Sequence, residues 1–277
     1  MDIDNDDAQV GRVLTRREIL ALLGTGSAAA VLAACGAGTA SSAATAAASA
    51  TPASSGPATA LATPTATATA IVAASSLPAC VVRPAETEGP YFVDEKLLRS
   101  DIRSDPSDGS VKAGATLRLS FAVAKVTGNS CAPYAGLLVD VWHCDGLGVY
   151  SDVSDPGFQT TGKKFLRGYQ VTDANGLATF TTIYPGWYGG RTVHIHFKIR
   201  TDATVSPGLE FTSQLFFDDT LTDKVHAGQP YAQKGTRTLR NPGDGIYSQG
   251  GDRLLLNVSG DSAAGYTTTF PIGLQAA

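Results

Sequence analysis

Two of the four histidines in this 277-residue chain, His194 and His196, sit at His-x-His spacing inside GWYGGRTVHIHFKI, residues 186–199. On a β-strand, side chains i and i+2 share a face, so both imidazoles point the same way while Val193, Ile195 and Phe197 meet the opposite layer. Two imidazoles so placed can bind one metal ion. Alone, so short a motif also fits two polar residues on a solvated strand face. The nearby phenols favour the metal. Tyr188 lies six positions before His194 with Arg191 between them, and Tyr150 leaves another apolar run at the Gly-rich turn CDGLGVYSD.

These side chains need a scaffold, and from Leu77 onward the chain reads as short strands. TLRLSFAVAKV, GLLVDVWHC, KFLRGYQVT, LATFTTIY, TVHIHFKI, TSQLFFDD, DRLLLNV and YTTTFPI are each bounded by Gly, Pro, Asn or Asp. TDANG reads as a hairpin-type turn between two of them. No long segment keeps a helical period, and one short helix is expected around DTLTDKVHAG. Antiparallel strands at this spacing predict an all-β, two-sheet sandwich over residues 79–277.

The N-terminal third reads differently. LTRREILALLGTGSAAAVLAAC pairs Arg16-Arg17 with an apolar run too short to span a bilayer, and ends in Leu32-Ala33-Ala34-Cys35. It resembles a twin-arginine export signal ending in a bacterial lipobox, which implies a signal peptide over 1–35 and lipidation of Cys35. Residues 36–78 are low-complexity Ala, Thr, Ser and Pro that bury too little apolar surface to offset ordering entropy. Such a linker reaches roughly 35–40 Å on average. Export places the folded part in an oxidising compartment, as a periplasmic or cell-surface lipoprotein that touches the membrane only through its lipid. Cys80, Cys131 and Cys144 then form an odd set. Cys131 and Cys144 flank what reads as one strand and would be held too far apart to bridge, so the expected pair is Cys80–Cys144, with Cys131 left over. The formal net charge of −4 and the lack of a basic run argue against nucleic acid.

TEGPYFVDEKLLRSDIR, VDVWHCDGLGVYSD, FLRGYQVTDANGLATFTTIYPGWYGGRTVHIHFKI and TSQLFFDD, in that order, closely resemble the intradiol ring-cleaving dioxygenases, especially their exported single-domain relatives. The resemblance implies an immunoglobulin-like β-sandwich and one non-haem ferric iron per chain. Its ligands would be Tyr150, Tyr188, His194 and His196. Phenolates are hard anionic donors that suit Fe(III). It further implies Arg191 and Gln214 as pocket residues acting on the reaction, and Thr87, Gly89, Pro90 and Trp142 as pocket lining. The implied reaction consumes O2 and a catechol-type substrate, and breaks the bond between the two oxygenated carbons to give a muconate-type diacid. Only GGRTV separates Tyr188 from His194, where protocatechuate enzymes carry a longer loop, which implies a more open pocket and leaves the oligomeric state and the choice of catechol undecided. Two other classes fit the residues: a tethered non-catalytic binding module, and a zinc hydrolase using His194, His196 and an acid such as Asp145.

Overall fold

The computed structural model describes residues 81–275. The signal over 1–35, Cys35, the linker over 36–78 and Cys80 lie outside the described residues. In chain order the elements are β1 (Thr116–Thr127), β2 (Ser130–Pro133), β3 (Leu138–Trp142), β4 (Ser154–Asp155), β5 (Phe158–Gln159), β6 (Arg167–Val171), β7 (Leu177–Ile183), β8 (His194–Arg200) and β9 (Glu210–Phe216), followed by helix α1 (Asp219–His226), then β10 (Ser259–Asp261) and β11 (Gly265–Gln275). Short 3-10 turns at Tyr231–Lys234, Asn241–Gly243, Tyr247–Gln249 and Gly251–Leu254 fill the stretch between α1 and β10. The helix falls where the sequence predicts one, and it starts at Asp218, whose carboxylate accepts the Leu221 amide at 2.8 Å.

The strands form two main sheets. The first is ordered β10-β11-β1-β2, with β7 also on β1; the second is ordered β6-β3-β8-β9 and is antiparallel throughout. In the first sheet β11 runs along β1 in parallel from Leu117↔Tyr266 to Val126↔Gln275, while β7 and then β2 pair with successive stretches of β1. An all-antiparallel sheet was the expectation. The parallel pair exists because β1 and β11 are distant in sequence and need no tight turn between them.

One apolar core joins the sheets. Phe121 and Phe270 of the first sheet meet Phe197 of the second, with ring centroids 5.1 and 5.7 Å apart. Each such side chain contributes about 1.5–3 kcal/mol when fully buried. Ile195, Phe197 and Ile199 point into this core, so His194, His196 and Lys198 face the outer side of the second sheet. That side is covered by loops, which is why those polar residues are also buried.

Three expectations require correction. DRLLLNV makes no strand: Leu254 and Leu256 are buried and Leu255 is exposed, an alternation that looks like a strand, but its residues form a 3-10 turn and a single bridge, Phe216↔Leu255. TDANG does turn the chain, with Asp173 accepting the Asn175 and Leu177 amides, but β6 and β7 belong to different sheets, so it is a crossover and not a hairpin. The Cys80–Cys144 pairing fails as well. Cys144 is a free, buried thiol, 3.5 Å from the Gly186 carbonyl. Cys131, on the exposed strand β2, is disulfide-bonded rather than left over. Physically, Cys144 has turned inward against Trp142 and Tyr150, whereas Cys131 lies on a strand at the edge of the other sheet. β2 and β3 are also in separate sheets, so the stretch between these cysteines is not one strand.

Candidate metal centre

The register of the second sheet sets the base of the site. Arg167 pairs with Trp142, Trp142 with His196, and His196 with Gln214, which makes one row across β6, β3, β8 and β9. The Trp142 indole stacks on His196, centroids 5.1 Å apart and planes 8° from parallel. Gly89 packs close to the same imidazole. A Cβ there would stand 3.2 Å from His196 Cε1, and its φ of +72° is the left-handed conformation that glycine tolerates.

Two loops carry the phenols. Asp145 organises the first by accepting the Leu147 and Val149 amides at 2.9 and 3.0 Å and pairing with Lys112 at 2.9 Å. The second loop lies backbone to backbone against it. Gly186 donates to the Asp145 carbonyl at 3.1 Å, and a Cβ on Gly148, at φ +81°, would come within 2.2 Å of the Trp187 carbonyl oxygen. Tyr150 and Tyr188 therefore approach edge to face, centroids 5.8 Å apart.

The donor atoms converge. His194 Nε2 lies 3.0 Å from His196 Nε2 and 3.1 Å from Tyr188 Oη. His194 Nδ1 is 2.7 Å from the Thr192 carbonyl, to which it must donate, and this leaves the Nε2 lone pair directed at the cluster. The Tyr150 hydroxyl is fully buried beside Tyr188 without a well-formed hydrogen bond, a buried polar atom that calls for a partner. Burial and the Arg191 charge pull His194 down to about 3, and burial with His194 and Arg191 beside it holds His196 well below its ordinary value. Burial raises both phenols, Tyr150 the more so with Tyr188 next to it. Four neutral, lone-pair-bearing groups aimed at one another form a set that a cation relieves, and two phenols plus two imidazoles fit ferric iron in donor type. Among the described residues no group of three or more His, Cys, Asp or Glu could hold a metal ion. The Asp145 carboxylate, the acid named for the zinc alternative, is engaged by Lys112 and its own loop.

Arg191 and Gln214 stand beside the donors. Arg191 Nη2 donates to Gln214 Oε1 at 2.5 Å, Nη1 lies 3.5 Å from His194 Nε2, and Nε donates to Asp244 at 2.9 Å. Gln214 in turn donates to the Thr87 carbonyl at 2.9 Å and holds the 86–92 segment over the site. Thr87, Gly89 and Trp142 are thus brought to the cluster, whereas Pro90 is exposed. Sequence reasoning missed several neighbours. Lys198, buried on the same face as the histidines, ion-pairs with Glu88 at 2.5 Å and lies 4.4 Å from the centre of the Phe92 ring, while Phe92 packs on Trp142 at 4.8 Å. The i+2 spacing from His196 was the available signal. Glu86 is half-buried, with Oε1 lacking a hydrogen-bond partner among the described residues, and burial lifts it to about 7 against the pull of Arg191.

A two-layer β protein whose sheet-mounted histidines meet two loop-borne tyrosines defines a narrow class. A family model described as Dioxygenase matches residues 87–241, more than half of the chain. The structure is similar to that of an intradiol ring-cleavage dioxygenase from Tetranychus urticae, with 31% identity and a TM-score of 0.60 over 71% of this chain and 95% of that one. Among curated proteins, catechol 1,2-dioxygenase 1 of Acinetobacter lwoffii is 27% identical over 162 residues, and catechol 1,2-dioxygenase 2 of that organism is 30% identical over 161. The chain spans about half the length of these curated relatives. It belongs to the intradiol ring-cleavage dioxygenase family.

Proposed function

We propose that this protein cleaves a catechol-type diol between its hydroxylated carbons with O2, on an immunoglobulin-like sandwich that carries one ferric iron held by Tyr150, Tyr188, His194 and His196. The observation that carries the proposal is the convergence of those four side chains with Arg191 alongside. Family membership and the naming of the curated relatives support the substrate class. When bound, ferric iron supplies Lewis acidity and withdraws electron density from a catecholate, which makes the ring reactive toward O2 without an external reductant. Tyr188 is the more exposed phenol and is followed by Gly189-Gly190, so its Oη is the group suited to move and accept a catechol proton. Arg191, tied to Gln214, presents positive charge where anionic oxygen develops. Trp142 and Phe92 exclude water from beneath His196.

We also propose export through the Arg16-Arg17 signal and anchorage through Cys35. A disulfide at Cys131 accords with an oxidising compartment.

Colour and turnover test the function together. Purified protein reconstituted with Fe(III) is expected to be red to burgundy from tyrosinate charge transfer, to take up O2 with catechol, and to release a muconate. Colourless protein that holds zinc, or coloured protein that consumes no O2 with catechol, hydroxyquinol or protocatechuate, overturns the reading.

A further inference from the structure

We infer that Asp244 is a positioning residue for the site: its buried carboxylate fixes the guanidinium of Arg191 and, through Thr192, the orientation of His194. This inference rests on the function proposed above for its catalytic consequence, but its geometry stands on its own. Asp244 is 0% exposed and lies past residue 241, where the match to the family model ends. One carboxylate oxygen accepts the Ile246 and Tyr247 amides at 2.8 and 2.9 Å, which anchors it in its own turn. The other accepts Arg191 Nε at 2.9 Å and the Thr192 amide at 2.7 Å. The Thr192 hydroxyl is also taken, donating to Asn241 at 2.7 Å, and the Thr192 carbonyl accepts from His194 Nδ1 at 2.7 Å. One carboxylate therefore joins the arginine that faces the reacting atoms to the peptide that sets the tautomer of a donor histidine.

The alternatives for Arg191 show why the brace matters. The Tyr188–Arg191 connection is Gly189-Gly190, two exposed glycines at which an added Cβ would meet nothing within 4 Å, so the preceding loop does not hold the arginine. Gln214 accepts from Nη2 but cannot fix the plane at Nε. Asp244 supplies that second point, and a guanidinium gripped at both Nε and Nη2 keeps Nη1 aimed at the donor cluster.

The test uses the full-length protein with Asp244→Asn, which keeps the shape and loses the charge. Asp244→Ser is the second variant, short enough to go on accepting backbone amides in the turn without reaching Arg191. In iron-free protein, phenylglyoxal labelling of Arg191, read by peptide mass spectrometry, is expected to accelerate several-fold in both variants. In iron-loaded protein, kcat for catechol is expected to fall on the order of 10–100-fold, the usual effect of losing a residue that orients the ligand shell, with KM little changed and the visible band retained. Combining Asp244→Asn with Arg191→Ala is expected to cost less than the product of the two single penalties, since either change removes the Arg191 arm and only the Thr192–His194 arm is left for the second to lose. Wild-type labelling and kcat in the two variants overturn the inference, as do penalties that multiply. The labelling needs neither iron nor turnover, so the inference can fail while the wild type is active, and it can hold if the wild type proves inactive on catechols.

Discussion

At the scale of single residues, the donors differ in what removing each would do. Tyr188→Phe leaves Tyr150, His194 and His196 in place, so iron is expected to remain bound with a weaker, shifted visible band. Turnover is expected to fall on the order of 10²–10⁴-fold, the range for loss of a positioned proton acceptor. His194→Ala is expected to lose most of the iron, because His194 Nε2 lies about equally close to two other donors and no neighbour on the strand can take its place. Metal analysis beside stopped-flow kinetics separates the two outcomes. A Tyr188→Phe enzyme with wild-type spectrum and rate would exclude Tyr188 from the site. That His194 and His196 share one strand face was readable, since His-x-His spacing places two imidazoles together wherever the strand lies. Asp244 was not readable. It meets Arg191 across 53 positions, and nothing local marks one Asp in a Gly-rich stretch as the one that folds back.

At the scale of elements, the phenols depend on two loops that glycine lets touch. Gly148→Ala would drive a Cβ into the Trp187 carbonyl and force a left-handed φ, costing about 1–3 kcal/mol from crowding and about 1–2 kcal/mol from the backbone. The melting midpoint is expected to drop on the order of 5–15 °C, with iron occupancy falling too. Gly189→Ala, where an added Cβ meets nothing, is the control and is expected to melt like the wild type. Equal melting of the two would mean that the loops do not bear on each other. Strands that alternate over a two-sided core, such as β1 and β8, were legible because the alternation of their side chains is local. Whether DRLLLNV joins a ladder depends on which edge is vacant, and TDANG turns the same way in a hairpin or a crossover, so partner choice stayed hidden. The cysteines were misjudged for the same reason. Reading 131–144 as one strand fixed a separation, while the real chain passes from one sheet to the other between β2 and β3.

At the scale of the molecule, acid stability and attachment follow from groups far apart. His143 is enclosed in the core, with Nε2 2.6 Å from Thr182 and Nδ1 2.8 Å from the Cys144 carbonyl, and burial lowers it from 6.5 to about 4. The unfolded chain takes up that proton first as the pH falls, so this contribution is complete above pH 6.5 and gone once the pH has passed below about 4. It amounts to at most about 3 kcal/mol. Urea melts at pH 7, 5.5 and 4.5 are expected to show that loss, with a shallower slope in His143→Gln; parallel slopes would assign the acid sensitivity elsewhere. Attachment is expected to follow Cys35, so that Cys35→Ala moves the protein from the membrane to the soluble fraction. Wild type recovered soluble with residues 1–34 still attached would refute it. The parallel ladder also governs timing. Leu117 of β1 pairs with Tyr266, 149 positions later, so the first sheet lacks one whole side until β11 has been synthesised. At about 5–20 residues per second that interval is on the order of 10–30 s, during which β1 presents an unpaired apolar edge. Closure of such a long-range pairing is slow, so that edge is expected to stay open well after Tyr150, Tyr188, His194 and His196 have all been translated.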